Sequence, residues 1–97
     1  MDKTFLHRLD VARFHSGVPY IVNSAFRTVE HEKSKGRDGT SSHTKGMAVD
    51  LRCTNSRVRF KIIKGLIMAG FTRIGCGSNF IHVDSDPDKD QDVIWTY

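Results

Sequence analysis

The chain has 97 residues, which suits one compact domain with a single hydrophobic core, so we expect residues 1–97 to form one domain that carries the whole function. Apolar residues make up 38% of the chain and charged residues 27%, which excludes the composition of a disordered or fibrous protein. The net charge of +4 would favour polyanions, but the basic residues are scattered along the chain, and no nucleic-acid partner is expected.

The N-terminal part of the chain predicts a helix followed by a strand. Apolar residues over positions 5–14 recur at mostly helical spacing, and Gly17 and Pro19 end the pattern. Residues 19–27 are rich in β-formers, which predicts a strand that ends near Arg27.

The next segment predicts a short helix and then a loop. Thr28 is a suitable N-cap for a helix that runs through His31 toward Lys35. Residues 36–44 carry glycine, serine and threonine without periodicity, which indicates a loop. This loop contains His43.

The middle of the chain predicts a strand and the strongest helix. Residues 47–52 alternate between apolar and polar and predict a strand. Asn55 or Ser56 is expected to cap the helix that follows, and Gly70 stands where a C-terminal cap belongs. Its apolar stripe consists of Val58, Ile62, Leu66 and Ala69, widened by Phe60, Ile63 and Ile67. Such a stripe predicts that the helix covers a sheet.

The C-terminal part predicts three strands. Residues 71–75 and 80–84 form a hairpin joined by a Cys-Gly-Ser-Asn turn, and the acidic turn 86–90 separates it from a last strand over 93–97. Trp95 and Tyr97 in this last strand are expected to be core or edge residues, although an aromatic side chain near the cleft could contact substrate. The order of elements predicts an α+β fold, with helices packed on a small, mainly antiparallel sheet.

A histidine and an aspartate separated by six residues form the first part of a candidate metal site. They are His43 and Asp50, in the segment 41–50, and a turn at Gly46 would let Asp50 return beside His43. The third candidate ligand is His82. Histidine and aspartate are ordinary zinc ligands, and a catalytic zinc site needs three protein ligands and an open position for water.

The strand that carries His82 has a clear two-sided pattern. His82 and Asp84 point to one face, whereas Ile81 and Val83 point to the core. Asp84 is therefore placed to act beside His82.

The pattern Ser-x-His-x-x-Gly-x-Ala-x-Asp over residues 41–50, followed by Phe-Ile-His-Val-Asp over 80–84, resembles the zinc D-Ala-D-Ala carboxypeptidase family. That family includes vancomycin-resistance dipeptidases and phage endolysin peptidases, and it shares a metal-site plan with the hedgehog signalling domain. The resemblance begins near Ser24-Ala25-Phe26-Arg27-Thr28, where the family has a Ser-Gly-Tyr-Arg-like segment, and it covers about two thirds of the chain.

The resemblance implies a role for each matching residue. His43, Asp50 and His82 would bind Zn²⁺. Arg27 matches the family arginine near the zinc, where a guanidinium can hold a substrate carboxylate or a developing oxyanion. Hydrogen bonds to the substrate would come from the serines before the metal histidine, Ser41 or Ser42.

One residue departs from the family pattern. Many relatives have an acidic residue as general base three positions before the last metal histidine, but this chain has Asn79 there, which cannot take a proton. Asp84 is the nearest substitute, either as the base or as the group that orients an imidazole. Glu30 and His31 are the remaining candidates for the base.

The resemblance implies a zinc metallopeptidase that hydrolyses bacterial peptidoglycan stem peptides, of the D-Ala-D-Ala carboxypeptidase or the L-Ala-D-Glu endopeptidase type. The alternatives are a non-catalytic zinc-binding domain of the same fold and, from charge alone, a small nucleic-acid binder.

Several properties of the whole protein are also expected. No apolar stretch is long enough to cross a bilayer, and the segment Met1–Thr4 lacks the apolar core of a secretory signal. We therefore expect a soluble monomer, made in the cytoplasm without an export signal, that acts on the cell wall. A phage-encoded enzyme would fit this description. Cys53 and Cys76 are expected to be reduced, partly buried thiols.

Overall fold

A computed structural model describes residues 2–24 and 47–97. The elements in chain order are α1 (Lys3–Ser16), β1 (Val22–Ser24), β2 (Ala48–Arg52), α2 (Ser56–Met68), β3 (Arg73–Cys76), β4 (Phe80–Asp84) and β5 (Val93–Thr96). The short helix expected over residues 28–35 and the loop expected over 36–44 lie outside the described residues.

Both helices begin with a side-chain cap. The carboxylate of Asp2 accepts a hydrogen bond from the backbone N–H of Phe5 at 2.8 Å. Asn55 is the N-cap of α2, because its side-chain oxygen accepts from the backbone N–H of Val58 at 2.9 Å. Each cap satisfies one backbone donor that the helix itself leaves unpaired. Gly70 follows α2 with a φ of 91°, as expected for the glycine just beyond a helix end.

Within the described residues, the sheet has five strands in the order β1-β2-β4-β3-β5. The pairs β1–β2, β2–β4 and β3–β4 are antiparallel, and the pair β3–β5 is parallel. The predicted α+β fold with a mainly antiparallel sheet is therefore confirmed. The strand order places β2 and β4 side by side, although 27 residues separate Arg52 at the end of β2 from Phe80 at the start of β4.

The hydrophobic core lies between the helices and one face of the sheet. Its fully or almost fully buried side chains come from every layer and are Phe5, Ala12, Val49, Leu51, Ile62, Leu66, Ile74, Ile81 and Val83, with Cys53 and Phe71. Gly65 allows α2 to approach α1, because a Cβ there would collide with the carbonyl of Ala12 and with Ser16.

The apolar stripe of α2 is narrower than the sequence predicted. Ile62 and Leu66 are buried, but Phe60 is 69% exposed and Ile67 is 54% exposed. The side chains at the margins of the stripe therefore remain in contact with water.

Neither of the two cysteines, both of which lie in the described residues, forms a disulfide. Cys53 is a buried free thiol and Cys76 is a half-buried one. Within the two described stretches, neither helix is long and apolar enough to cross a membrane.

Candidate metal centre

The sheet face opposite the helices carries the polar residues singled out by the sequence. Side chains alternate along a strand, so His82 and Asp84 share this face while Ile81 and Val83 are fully buried in the core, as predicted. In the register of β2 and β4, Asp50 lies directly opposite His82. Two residues that are distant in sequence therefore meet at one point of the sheet.

The imidazole of His82 lies between two carboxylates. Its Nδ1 is 2.9 Å from Oδ1 of Asp50, and its Nε2 is 2.6 Å from Oδ2 of Asp84. The His82 side chain is 10% exposed and that of Asp84 only 1%. The ring is thus held from both edges, with Asp84 on the inner side.

The charges at this site are strongly coupled. Burial lowers the pKa of His82, but the hydrogen bonds to Asp50 and Asp84 and the charges of these two carboxylates outweigh it, so the pKa is raised. For Asp84, burial raises the pKa, but hydrogen bonds from His82, from the backbone of Asp86 and from Arg73 outweigh that effect, so the pKa is lowered. Asp84 therefore stays ionised near neutral pH.

Asp84 has defined partners for both of its oxygens. Oδ1 accepts hydrogen bonds from Nε of Arg73 at 2.7 Å and from the backbone N–H of Asp86 at 3.1 Å. Oδ2 faces His82. With its charge paired and its oxygens engaged, the carboxylate has a fixed orientation.

Trp95 covers this arrangement from the neighbouring strand. In the sheet, Gly75 lies between His82 on β4 and Trp95 on β5. The indole reaches across Gly75, so that the ring centroids of Trp95 and His82 are 5.5 Å apart. A Cβ at position 75 would lie 2.7 Å from the indole, so only glycine leaves room for this contact.

The structure brings together three of the predicted site residues, Asp50, His82 and Asp84. The others, Arg27, Ser41, Ser42 and His43, lie outside the described residues, as do Glu30 and His31. Within residues 2–24 and 47–97, no group of three or more histidine, cysteine, aspartate or glutamate side chains could hold a metal ion. The reason is geometric, because Asp50 and Asp84 contact opposite edges of the His82 ring and so cannot bind one ion together with it.

Asp50 and His82 nevertheless fit two positions of a zinc site. They supply one carboxylate oxygen and one imidazole nitrogen, which are both common zinc donors. Their 2.9 Å separation is close to the roughly 3.3 Å that tetrahedral zinc with bonds of about 2.0 Å sets between two ligands. Asp84 at the opposite nitrogen matches the carboxylate that commonly supports a metal-bound histidine.

Sequence reasoning missed Arg73 and Gly75 and treated Trp95 as a core or edge residue. Their roles depend on the pairing of β3 with both β4 and β5, which brings residues of three strands onto one face. One signal was available for Arg73, since a basic residue inside an apolar strand requires a partner, and an acidic residue stands on the adjacent strand.

Comparison with known proteins identifies the family of this chain. A family model described as Peptidase M15 matches residues 2–84. The chain therefore belongs to the peptidase M15 family, whose members are zinc metallopeptidases that act on peptidoglycan. No curated protein and no solved structure gave a significant match.

Proposed function

We propose that this chain is a single zinc peptidase domain that hydrolyses peptide bonds in bacterial peptidoglycan stem peptides, with His43, Asp50 and His82 as the metal ligands. The bond is either the terminal D-Ala-D-Ala bond or the L-Ala-D-Glu bond. The resemblance to phage endolysin peptidases makes a phage-encoded lytic enzyme, acting as a monomer, the proposed setting.

One observation carries the metal centre. Nδ1 of His82 faces the carboxylate of Asp50, while Nε2 of the same ring faces the buried carboxylate of Asp84. Asp84 favours the tautomer in which Nε2 carries the proton, and this tautomer leaves the Nδ1 lone pair directed at Asp50. A cation could then be shared between Asp50 and His82, and His43 would supply the third ligand.

The remaining roles follow from chemistry. Zinc, when bound, supplies a Lewis acid that polarises the scissile carbonyl and activates water. Arg27 would hold a substrate carboxylate or the developing oxyanion through its planar guanidinium. Ser41 or Ser42 would donate a hydrogen bond that helps to align the peptide.

The contacts of Asp84 favour an orienting role over that of a general base. A base must present an ionised oxygen to the reacting water. The side chain of Asp84 is only 1% exposed, and its oxygens contact Arg73, Asp86 and His82. We therefore propose that Asp84 orients His82 and that Glu30 or His31 is the base.

Purified wall peptides provide the test. The wild type should release D-alanine from a stem pentapeptide, or split an L-Ala-D-Glu bond, lose this activity with a chelator and regain it with zinc. His82→Ala should abolish turnover, and His7→Ala, at an exposed position of α1, should not. Turnover that survives complete removal of metal would rule out the proposal.

A second candidate is a zinc-binding domain of the same fold without catalysis. Asn79, at the position where many relatives carry the acid, favours it. A wild type that binds zinc tightly and cleaves neither peptide would support this alternative. Cleavage by the wild type, abolished in an Asp50→Asn variant that remains folded, would exclude it.

A further inference from the structure

Arg73 is a buried cation that the proposed chemistry does not use. Its side chain is 10% exposed, and its Nε donates to Oδ1 of Asp84 at 2.7 Å. Its Nη1 donates to the backbone carbonyl of Asp90. A guanidinium removed from water loses much of its hydration, and only close pairing with hydrogen bonds compensates for that loss. A buried, paired arginine of this kind is therefore expected to fix the position of the group that it contacts.

The group that Arg73 holds is the carboxylate behind His82. Arg73 and the backbone N–H of Asp86 both contact Oδ1 of Asp84, while Oδ2 contacts Nε2 of His82 at 2.6 Å. With Oδ1 fixed, rotation of the carboxylate is restricted and Oδ2 remains directed at the imidazole. Arg73, Asp84 and His82 therefore form one chain of contacts across β3 and β4.

Trp95 packs against Arg73 and against His82, the two ends of this chain of contacts. The centre of the Arg73 guanidinium lies 5.0 Å from the indole centroid, a distance at which a cation and an aromatic ring attract each other. The same indole contacts the His82 ring, with 5.5 Å between centroids. Since Trp95 covers the guanidinium and the imidazole together, it restricts the movement of one relative to the other.

We propose that Arg73 is a positioning residue of the metal centre: by fixing Asp84, it holds His82 with Nδ1 toward Asp50. This inference rests on the proposed metal centre for the role of His82. It assigns Arg73 no contact with substrate. Its effect should therefore appear in metal affinity and in the order of the imidazole.

Zinc affinity, measured by competition with a chromophoric chelator, tests the inference. Arg73→Gln removes the charge and the fixed contact with Oδ1, and it should weaken zinc binding about 10- to 100-fold, the range found for outer partners of metal ligands. Arg73→Lys keeps the charge beside Asp84 but cannot make the same two contacts, and its affinity should lie between those of the wild type and Arg73→Gln.

Arg59 offers a matched control. It is a half-buried arginine whose guanidinium donates to the backbone carbonyls of Gly77 and Ser78, at the opposite end of the β3–β4 hairpin. Arg59→Gln likewise removes guanidinium hydrogen bonds to backbone carbonyls, but it touches no residue of the site. It should leave zinc affinity within about twofold of the wild type, even where the melting temperature falls.

A second readout protects the test against simple loss of folding. Nitrogen chemical shifts of the His82 imidazole report its tautomer. In the zinc-loaded wild type and in Arg73→Lys, Nε2 should carry the proton. A folded Arg73→Lys or Arg73→Gln protein with wild-type zinc affinity and wild-type imidazole shifts would overturn the inference.

The outcome is independent of the substrate. If the wild type binds zinc but cleaves no wall peptide, the proposed hydrolysis fails while the affinity series still decides the role of Arg73. If the wild type binds no zinc, both the metal centre and the role of Arg73 are overturned.

Discussion

Asp50 and His82 face each other across β2 and β4, with Oδ1 of Asp50 2.9 Å from Nδ1 of His82. This meeting depends on the register of the sheet. A slip of one residue would turn His82 into the core and bring Ile81 or Val83 to the polar face. The hydrophobic packing of the opposite face, which requires Ile81 and Val83 to be buried, therefore also sets the geometry of the site.

Zinc affinity distinguishes two roles for Asp84, that of a group that orients His82 and that of a general base. If Asp84 orients His82, Asp84→Asn should weaken zinc binding about 10- to 100-fold, and excess zinc should restore part of the peptidase activity. A base would behave differently, because its loss would abolish turnover at every zinc concentration without changing zinc affinity. Asp10→Asn, at an exposed position of α1, is the control and should change neither quantity.

Gly75 should be intolerant of any side chain while Trp95 is present. A Cβ at position 75 would lie 2.7 Å from the indole, so Gly75→Ala should reduce the free energy of unfolding by about 1–3 kcal/mol. In a Trp95→Leu background the same substitution should cost clearly less, since the colliding ring is absent. Urea unfolding of the four proteins of this cycle measures the difference. Equal costs in both backgrounds would show that the indole does not cross Gly75.

The cap of α2 should contribute measurably to stability. Asn55→Ala removes the acceptor for the backbone N–H of Val58 and should cost about 1 kcal/mol. Asn55→Asp keeps an acceptor at the same position and should retain most of the stability. Thermal unfolding compares the two variants, and an equal loss in both would contradict the cap.

Stability should fall in alkaline solution because of a tyrosine near α1. The hydroxyl of Tyr20 lies 2.5 Å from Oγ of Ser16. Burial raises the pKa of Tyr20, and the hydrogen bond with Ser16 only partly opposes this. Below the ordinary tyrosine pKa of about 10, Tyr20 is protonated in both the folded and the unfolded chain, and its full contribution to stability is present.

As the pH rises past that value, the unfolded chain loses its proton first, so stability is lost until the pH passes the higher folded pKa. Between about pH 9 and 11, the free energy of unfolding should therefore drop less in Tyr20→Phe than in the wild type. Urea unfolding at several pH values in this range measures the two drops. The pKa of Tyr97 is also raised, by partial desolvation and by the nearby carboxylates of Asp50 and Asp84, and contributes in the same direction. Tyr97→Phe therefore serves as the comparison variant. Identical drops in the free energy of unfolding for the wild type and Tyr20→Phe would contradict this account.

Local patterns in the sequence were sufficient to predict most of the elements. Alternation in β2 and β4, the central part of the apolar stripe of α2 and its cap at Asn55 all have local causes, namely side-chain periodicity and backbone donors that need acceptors. The same alternation placed His82 and Asp84 on one face. These predictions are confirmed because each depends on only a few neighbouring residues.

The partners of the site depend on pairing over longer distances. The sequence predicted a turn that starts at Cys76, but β3 includes Cys76. The turn is made by the residues after Gly77, and the N–H of Gly77 donates to the carbonyl of Phe80. This register pairs Arg73 with Asp84. Local propensity did not indicate the register, nor the parallel addition of β5 that brings Trp95 to the site.

Anomalous diffraction from crystals of the zinc-loaded protein, recorded at the zinc absorption edge, tests the central claim most directly. The account predicts one strong peak within about 2.0–2.2 Å of both Nδ1 of His82 and Oδ1 of Asp50, with Nε2 of His82 still hydrogen-bonded to Asp84. A peak on Nε2, or zinc bound elsewhere while Asp50 and His82 remain in direct contact, would contradict it.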